Sequence, residues 1–312
     1  MTYFLAFLLF QQAGAVSEGH FRSAALGVEK RYVVWLPPGY ATSTRRYPVI
    51  YLLHGLGGDE NNWTRLGHAD AAADKLALQA ILIMPDGDDG FYANWITSPD
   101  YDKCLHTPRI FSRVPEDPKA YCVREARYED YIVKDLLAHV DATYRTIADR
   151  RARGIGGLSM GGFGALELAM RHPDRFGAAA CHSGVDVLLP EDGDVKHWGR
   201  TVEPIGAQVR RIFGTDVAHW RAHDPAVLAT RLKDGQLALY LDCGTEDGFN
   251  LQASAQVLHD ILDRAGVHHA FTLAPGRHDF SFWSARIGES LKFFAEYFSR
   301  SKAAWRPAAL TP

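Results

Sequence analysis

Apolar residues in this chain come in short unbroken runs, and most runs are followed by a stretch with helical spacing. The runs are rich in Val, Ile, Leu and Ala and end at Gly, Pro or Asp. They predict buried strands over 31–36, 49–54, 81–85, 154–158, 178–182, 237–242 and 270–273. Apolar positions three and four apart predict helices over 69–78, 128–144, 160–171, 251–265 and 282–298. In 251–265, Leu251, Leu258, Ile261 and Leu262 make one face. Strands alternating with helices predict a mostly parallel central sheet with helices on both faces, an α/β fold. In such sheets the reactive side chains gather beyond the carboxyl ends of the strands.

Two segments break the alternation. Residues 86–124 carry Pro99, Pro108, Pro115 and Pro118 with Tyr92, Trp95 and Tyr101, and residues 188–213 are rich in Gly, Asp and Trp. Excursions of this length from a compact domain are lids or binding loops. The expected organisation is one α/β domain over 16–302 carrying both excursions, with an unstructured tail over 303–312. At the other end, Tyr3 to Phe10 is an apolar run too short to span a bilayer, followed by Ala13-Gly14-Ala15. This pattern predicts a signal peptide over 1–15, and so a secreted or periplasmic protein. The alternative is a cytoplasmic protein with an apolar arm.

Composition narrows the partners. The 312 residues are 47% hydrophobic and 23% charged, as in a soluble globular protein. A net charge of −3 leaves no electrostatic footprint for nucleic acid. No run is long enough for a membrane span, and oligomeric state has no signature in the sequence. Of the 4 cysteines, Cys181 and Cys243 end apolar runs and read as buried thiols. Cys104 and Cys122 share the polar, proline-rich excursion and are expected to pair if the protein is exported.

The chemistry centres on Gly157-Leu158-Ser159-Met160-Gly161-Gly162-Phe163-Gly164-Ala165. A strand before G-x-S-x-G and a helix after it place Ser159 on a sharp turn with its hydroxyl exposed and only small neighbours tolerated. The helix N-terminus aims free N–H groups and a positive dipole end at that serine. Ser159 is therefore the candidate nucleophile, and it needs a base held by an acid. His278, in the loop after the last strand, occupies the place that the order serine, acid, histidine requires. Acid candidates follow the strand ending near Cys243: Asp242, Glu246 and Asp247. Asp247, in the turn, is preferred over Glu246, and Asp242 lies within the strand end. The oxyanion hole calls for Met160 N–H and a second donor from His54-Gly55-Leu56-Gly57-Gly58, for which Leu56 N–H is chosen. Trp95 is a candidate for the substrate pocket, and Trp35, in a strand, is expected in the core. His219 and His223 have metal-ligand spacing but no third ligand, and read as surface histidines. Neither a metal nor an organic cofactor is called for.

The elbow stretch, with Leu53-His54-Gly55-Leu56-Gly57-Gly58 and Pro85-Asp86-Gly87, resembles the esterase D group of α/β-hydrolases. Tyr128-Glu129-Asp130-Tyr131, Cys243-Gly244-Thr245-Glu246-Asp247 and Gly276-Arg277-His278-Asp279-Phe280 are similar to its pattern too. That group includes S-formylglutathione hydrolases, tributyrin-type, feruloyl and acetyl-xylan esterases, and mycolyltransferases. The resemblance runs from about Tyr32 to Phe298. It implies an α/β-hydrolase fold, a Ser159–Asp247–His278 triad, and Leu56 and Met160 as oxyanion donors. The function expected is that of a serine carboxylesterase acting on short-chain acyl or aryl esters through an acyl-enzyme. The alternatives are an acyltransferase with an alcohol acceptor, an S-formylglutathione-type thioesterase, and a non-catalytic protein that keeps the fold. Against the last, no triad member is missing. The excursion between Cys104 and Cys122 and the N-terminal segment depart from a small cytosolic thioesterase.

Overall fold

Unbroken runs of Val, Ile, Leu and Ala have no polar face to turn to water, so the strands they form must be covered on both sides. In the computed structural model, which describes residues 13–107, 116–189 and 205–304, helices cover both faces of one eight-stranded sheet. The strands are β1 (Ala15–Arg22), β2 (Glu29–Leu36), β3 (Val49–Leu53), β4 (Ile81–Pro85), β5 (Arg153–Leu158), β6 (Ala178–His182), β7 (Ala238–Gly244) and β8 (Ala270–Ala274). Their spatial order is β1-β2-β4-β3-β5-β6-β7-β8. From β4 to β8 all neighbours are parallel, and β2 runs antiparallel to both β1 and β4.

Alternate side chains of the strands feed two cores. On one face Tyr51, Ile155, Ala179 and Leu239 pack with Leu136, Leu166 and Leu258 from the covering helices. On the other, Ile50, Leu52, Leu82 and Ala180 pack with Ala73 of the helix Ala69–Lys75 and with Ile287, Leu291 and Phe294 of the helix Phe280–Ala304. Fully burying one such aliphatic side chain contributes about 1.5–3 kcal/mol, so both cores favour this register. β5 lies mid-sheet and is buried along its whole length, which makes it a rigid base for the turn that follows.

Several elements differ from expectation. β1 was not predicted; its sequence AVSEGHFR has no apolar face, and it is held by antiparallel pairing along its length with β2. The helix expected over 128–144 contains a π-helical segment, Tyr131–Leu136, between Tyr128–Asp130 and Leu137–Thr143. The 188–213 excursion is not all loop: Ile205–Phe213 is a helix that buries Val209, Ile212 and Phe213. The final helix extends to Ala304, past the expected start of the tail at 303. The run Tyr3 to Phe10 lies outside the described residues. Within the 86–124 excursion, the short helices Tyr101–Leu105 and Pro118–Tyr121 are joined by a Cys104–Cys122 disulfide with Cα atoms 5.7 Å apart. Cys181, Cys243 and Trp35 are buried, as their runs of neighbours predict.

Candidate active site

The turn after β5 carries the backbone strain that its sequence implies. Ser159 sits at φ 52°, ψ −119°, and the helix Met160–Arg171 begins at the next residue. A side chain at this φ is costly, and such strain persists only where surrounding structure enforces it. The flanking glycines are part of that enforcement. A Cβ on Gly157 would lie 2.2 Å from the Gly161 carbonyl oxygen, and one on Gly161 would lie 2.4 Å from the Leu53 oxygen and 2.6 Å from that of His54. The G-x-S-x-G pattern is thus a packing requirement between this turn and the end of β3. The Ser159 N–H donates to the His182 carbonyl at 2.9 Å, which fixes the turn to β6.

Three predicted residues meet here. His278 Nε2 lies 2.9 Å from Ser159 Oγ, and His278 Nδ1 lies 2.6 Å from Asp247 Oδ2. Asp247 is buried, while Ser159 and His278 are half-buried and reach the surface. Burial pushes the Asp247 carboxyl up. The hydrogen bond and charge of His278, the Phe249 N–H at 2.9 Å and the Cys243 thiol outweigh it, and the carboxyl is held below its ordinary range. An ionised carboxylate facing Nδ1 holds the proton on that nitrogen, which turns the Nε2 lone pair toward the serine hydroxyl.

The other acids are placed elsewhere. Glu246 is exposed, 3.7 Å from Arg277. Asp242 points from β7 into the opposite core, where it meets His182 at 2.8 Å, the Tyr240 hydroxyl at 2.7 Å and Arg286 at 3.0 Å.

The loop after β3 abuts the elbow because β3 and β5 are adjacent and parallel. His54 organises it. Its Nδ1 lies 2.8 Å from the Gly55 carbonyl, its Nε2 accepts from Gly87 N–H at 2.8 Å, and its own carbonyl accepts from the Tyr92 hydroxyl at 3.0 Å. Gly57 N–H donates to Asp89 at 2.8 Å. Leu56, between these anchors, is half-buried, and Met160 opens the elbow helix. Among the described residues neither the Leu56 nor the Met160 N–H donates to another protein group.

The anchors of this loop were not recognised in the sequence. Lys30 is buried between Asp86 and Asp88 at 2.7 and 2.8 Å, and the hydroxyls of Tyr128 and Tyr131 donate to Asp88 Oδ2 and the Asp86 carbonyl. Burial opposes the charge on Lys30, but the two carboxylates prevail and its ammonium is held charged. The Tyr128-Glu129-Asp130-Tyr131 motif therefore braces the Pro85-Asp86-Gly87 loop. Two aromatic rings flank His278 edge-on: Phe249 at 4.8 Å, half exposed, and Trp283 at 5.0 Å, buried. Neither was singled out in the sequence, although both stand a few residues from Asp247 or His278.

Trp95 is half-buried, donates to the Gly90 carbonyl at 3.0 Å and leans on Tyr128. No hydrogen bond or ring contact joins it to Ser159, His278 or Asp247 among the described residues. His223 is not a surface histidine. It is buried, with Nδ1 2.7 Å from Glu167 Oε1, because Glu167 lies on the inward face of the elbow helix and takes its partners from His223 and Arg171. His219 is half-buried beside it.

A mostly parallel sheet that delivers a strained serine, a histidine and a carboxylate from the ends of β5, β8 and β7 defines an α/β-hydrolase. The chain belongs to the Esterase family ("Putative esterase"), whose pattern matches residues 23–294. It is similar to an esterase of Mycobacterium tuberculosis, with 30% identity over 83% of this chain and 55% of that protein. The chain thus spans about half the length of that relative. It is also similar to the S-formylglutathione hydrolase of Paracoccus denitrificans, at 26% identity over 88% of this chain and 91% of the relative. Among solved structures, an S-formylglutathione hydrolase from Agrobacterium tumefaciens shares the fold, with TM-score 0.68 and 20% identity over 92% of this chain and 96% of the other. A ferulic acid esterase does so with TM-score 0.68 and 22% identity over 92% of this chain and 100% of the other.

Proposed function

We propose that this protein is a serine carboxylesterase that hydrolyses short-chain acyl or aryl esters. One observation carries the reading: a strained, half-exposed Ser159 hydrogen-bonded through His278 to a buried Asp247. Ser159 Oγ attacks the acyl carbon and passes its proton to His278 Nε2, while Asp247 stabilises the resulting imidazolium. The tetrahedral oxyanion rests on Leu56 and Met160 N–H. His278 then protonates the departing alcohol, and a water activated by the same imidazole releases the acid and restores Ser159. The half-exposed Phe249 ring beside His278 supplies an apolar contact for the acyl or aryl group. Trp95, in the excursion that follows β4, is proposed as a further substrate contact. The cycle calls on neither a metal nor an organic cofactor.

A thioesterase reading is favoured by one observation, the similarity to an S-formylglutathione hydrolase over nearly the whole of both chains. The cystine at 104 and 122 favours an oxidising, extracytoplasmic compartment and an ester found there. Specificity constants for p-nitrophenyl esters from acetate to palmitate, feruloyl esters and S-formylglutathione test the proposal. A maximum at short acyl or aryl esters is expected. A maximum at palmitate, or a preference for the glutathione thioester, overturns it.

A further inference from the structure

Away from the site, the helix Leu251–Arg264 and the residues leading into β8 bring two imidazoles together. His259 Nδ1 lies 2.8 Å from His269 Nε2. The other nitrogen of His269 is already committed. His269 Nδ1 lies 2.8 Å from the Val267 carbonyl, which can only accept, so that nitrogen carries the proton and Nε2 presents a lone pair. His259 Nε2 lies 3.6 Å from the Asp263 carboxylate, also an acceptor. At that distance it makes no hydrogen bond, so in the metal-free protein His259 Nδ1–H is free to donate to His269 Nε2. A metal ion that displaces this proton finds two imidazole nitrogens already side by side.

We propose that His259, His269 and Asp263 bind a divalent transition-metal ion of the zinc class, with the Val267 carbonyl orienting the His269 ring. His269 has the outer partner a metal-bound histidine requires: its remote N–H donates to a backbone carbonyl, which fixes the tautomer and raises ligand basicity. Imidazole nitrogens select Zn²⁺, Co²⁺ or Ni²⁺ over Ca²⁺ and Mg²⁺. Two Zn–N bonds at a tetrahedral angle span about 3.4 Å, so the rings need to part by only a few tenths of an ångström. The Asp263 carboxylate offers an oxygen within 4.8 Å of donor atoms on both histidines, and waters fill the remaining positions. His259 is held in plane by stacking on Phe271 at 4.3 Å, whereas the neighbouring His268 is drawn away to Asp234 at 3.0 Å. The ion would tie the helix that follows the Asp247 turn to the strand that leads to His278.

The test uses the full chain without a polyhistidine tag, stripped of metal by a chelator. Zn²⁺ is titrated by calorimetry, and Co²⁺ serves as a spectroscopic probe through its visible d–d bands. The expected result is one saturable site of micromolar affinity or tighter, with a rise in melting temperature on Zn²⁺ addition. His259→Gln and His269→Gln should each weaken binding by more than about tenfold, and Asp263→Asn by a smaller factor, as for an exposed third ligand. Affinity should fall as the pH is lowered, because protons compete for the same lone pairs. Circular dichroism and melting of the metal-free variants confirm that each still folds. Absence of saturable binding in the folded wild type, or binding that survives both histidine substitutions, overturns the proposal.

Discussion

Among the described residues, serine, histidine and aspartate form two hydrogen-bonded chains. In one, Ser159, His278 and Asp247 are joined at 2.9 and 2.6 Å; in the other, Ser290, His182 and Asp242 are joined at 2.8 and 2.8 Å. The distances do not separate them; their surroundings do. Ser290 lies inside the helix Phe280–Ala304, fully buried, with its hydroxyl also donating to the Ile287 carbonyl. No substrate reaches it, and its position in the helix interior offers no free N–H pair to an oxyanion. Ser159 stands one residue before a helix, at positive φ, next to the uncommitted Met160 N–H. Hydrogen-bond geometry alone therefore does not make a nucleophile. Access, backbone strain and uncommitted donors do, and the buried chain instead ties β6 and β7 to the final helix.

The largest contrast is expected on removing the two hydroxyls. Ser159→Ala should abolish ester hydrolysis, lowering kcat by on the order of 10⁵–10⁶ with melting almost unchanged. Steady-state kinetics with p-nitrophenyl acetate and a thermal melt read both outcomes. Next in size, Asp247→Asn should lower kcat by about 10⁴, since the amide no longer fixes the imidazole tautomer. That variant should also show a different acid limb in stability. The Asp247 carboxyl is held below its usual range in the fold, so its ionisation stabilises the protein above the unfolded value of about 4. This contribution is lost as the pH falls through the folded value. The stability gap between wild type and Asp247→Asn should thus narrow in acid, which urea unfolding at several pH values measures.

In the buried chain the same substitution should act on stability. Asp242→Asn leaves Arg286 and His182 without their carboxylate and is expected to cost about 3–5 kcal/mol while kcat of the folded fraction stays near wild type. Cleaving the Cys104–Cys122 bridge, by Cys104→Ser with Cys122→Ser, should cost about 3 kcal/mol in the chain-entropy account. Non-reducing peptide mass spectrometry confirms the bridge in the parent protein. The smallest effect is expected from Ser290→Ala: about 1–3 kcal/mol for leaving His182 without its partner, with turnover unaltered.

The sequence showed unequal amounts of the two regions. The elbow was legible because its glycines stand two residues to either side of Ser159, where a Cβ would meet backbone, and a requirement tied to so short a spacing leaves a pattern. His278 was legible from its place after the last strand. Asp247 was separated from Glu246 only by a preference for the turn, and the structure places Glu246 at the surface. The Asp242–His182–Ser290 chain left no signal, because its members come from β6, β7 and the last helix and meet only when the sheet forms. The same holds for Lys30 between Asp86 and Asp88, and for His223 against Glu167, whose partners are far apart in the chain. β1 was missed for a different reason: its stability lies in backbone pairing with β2, which a hydrophobic pattern does not record.

The most direct test of which chain does chemistry is covalent labelling of the native protein with a fluorophosphonate, followed by peptide mass spectrometry. The reagent needs an activated serine, an accessible site and donors for its phosphoryl oxygen, all of which the account gives to Ser159 alone. A single phosphonylated peptide bearing Ser159 is predicted, in parallel with loss of ester hydrolysis, and His278→Ala should prevent the labelling. Label on any other serine accompanied by loss of activity, or full activity after stoichiometric modification of Ser159, would contradict it.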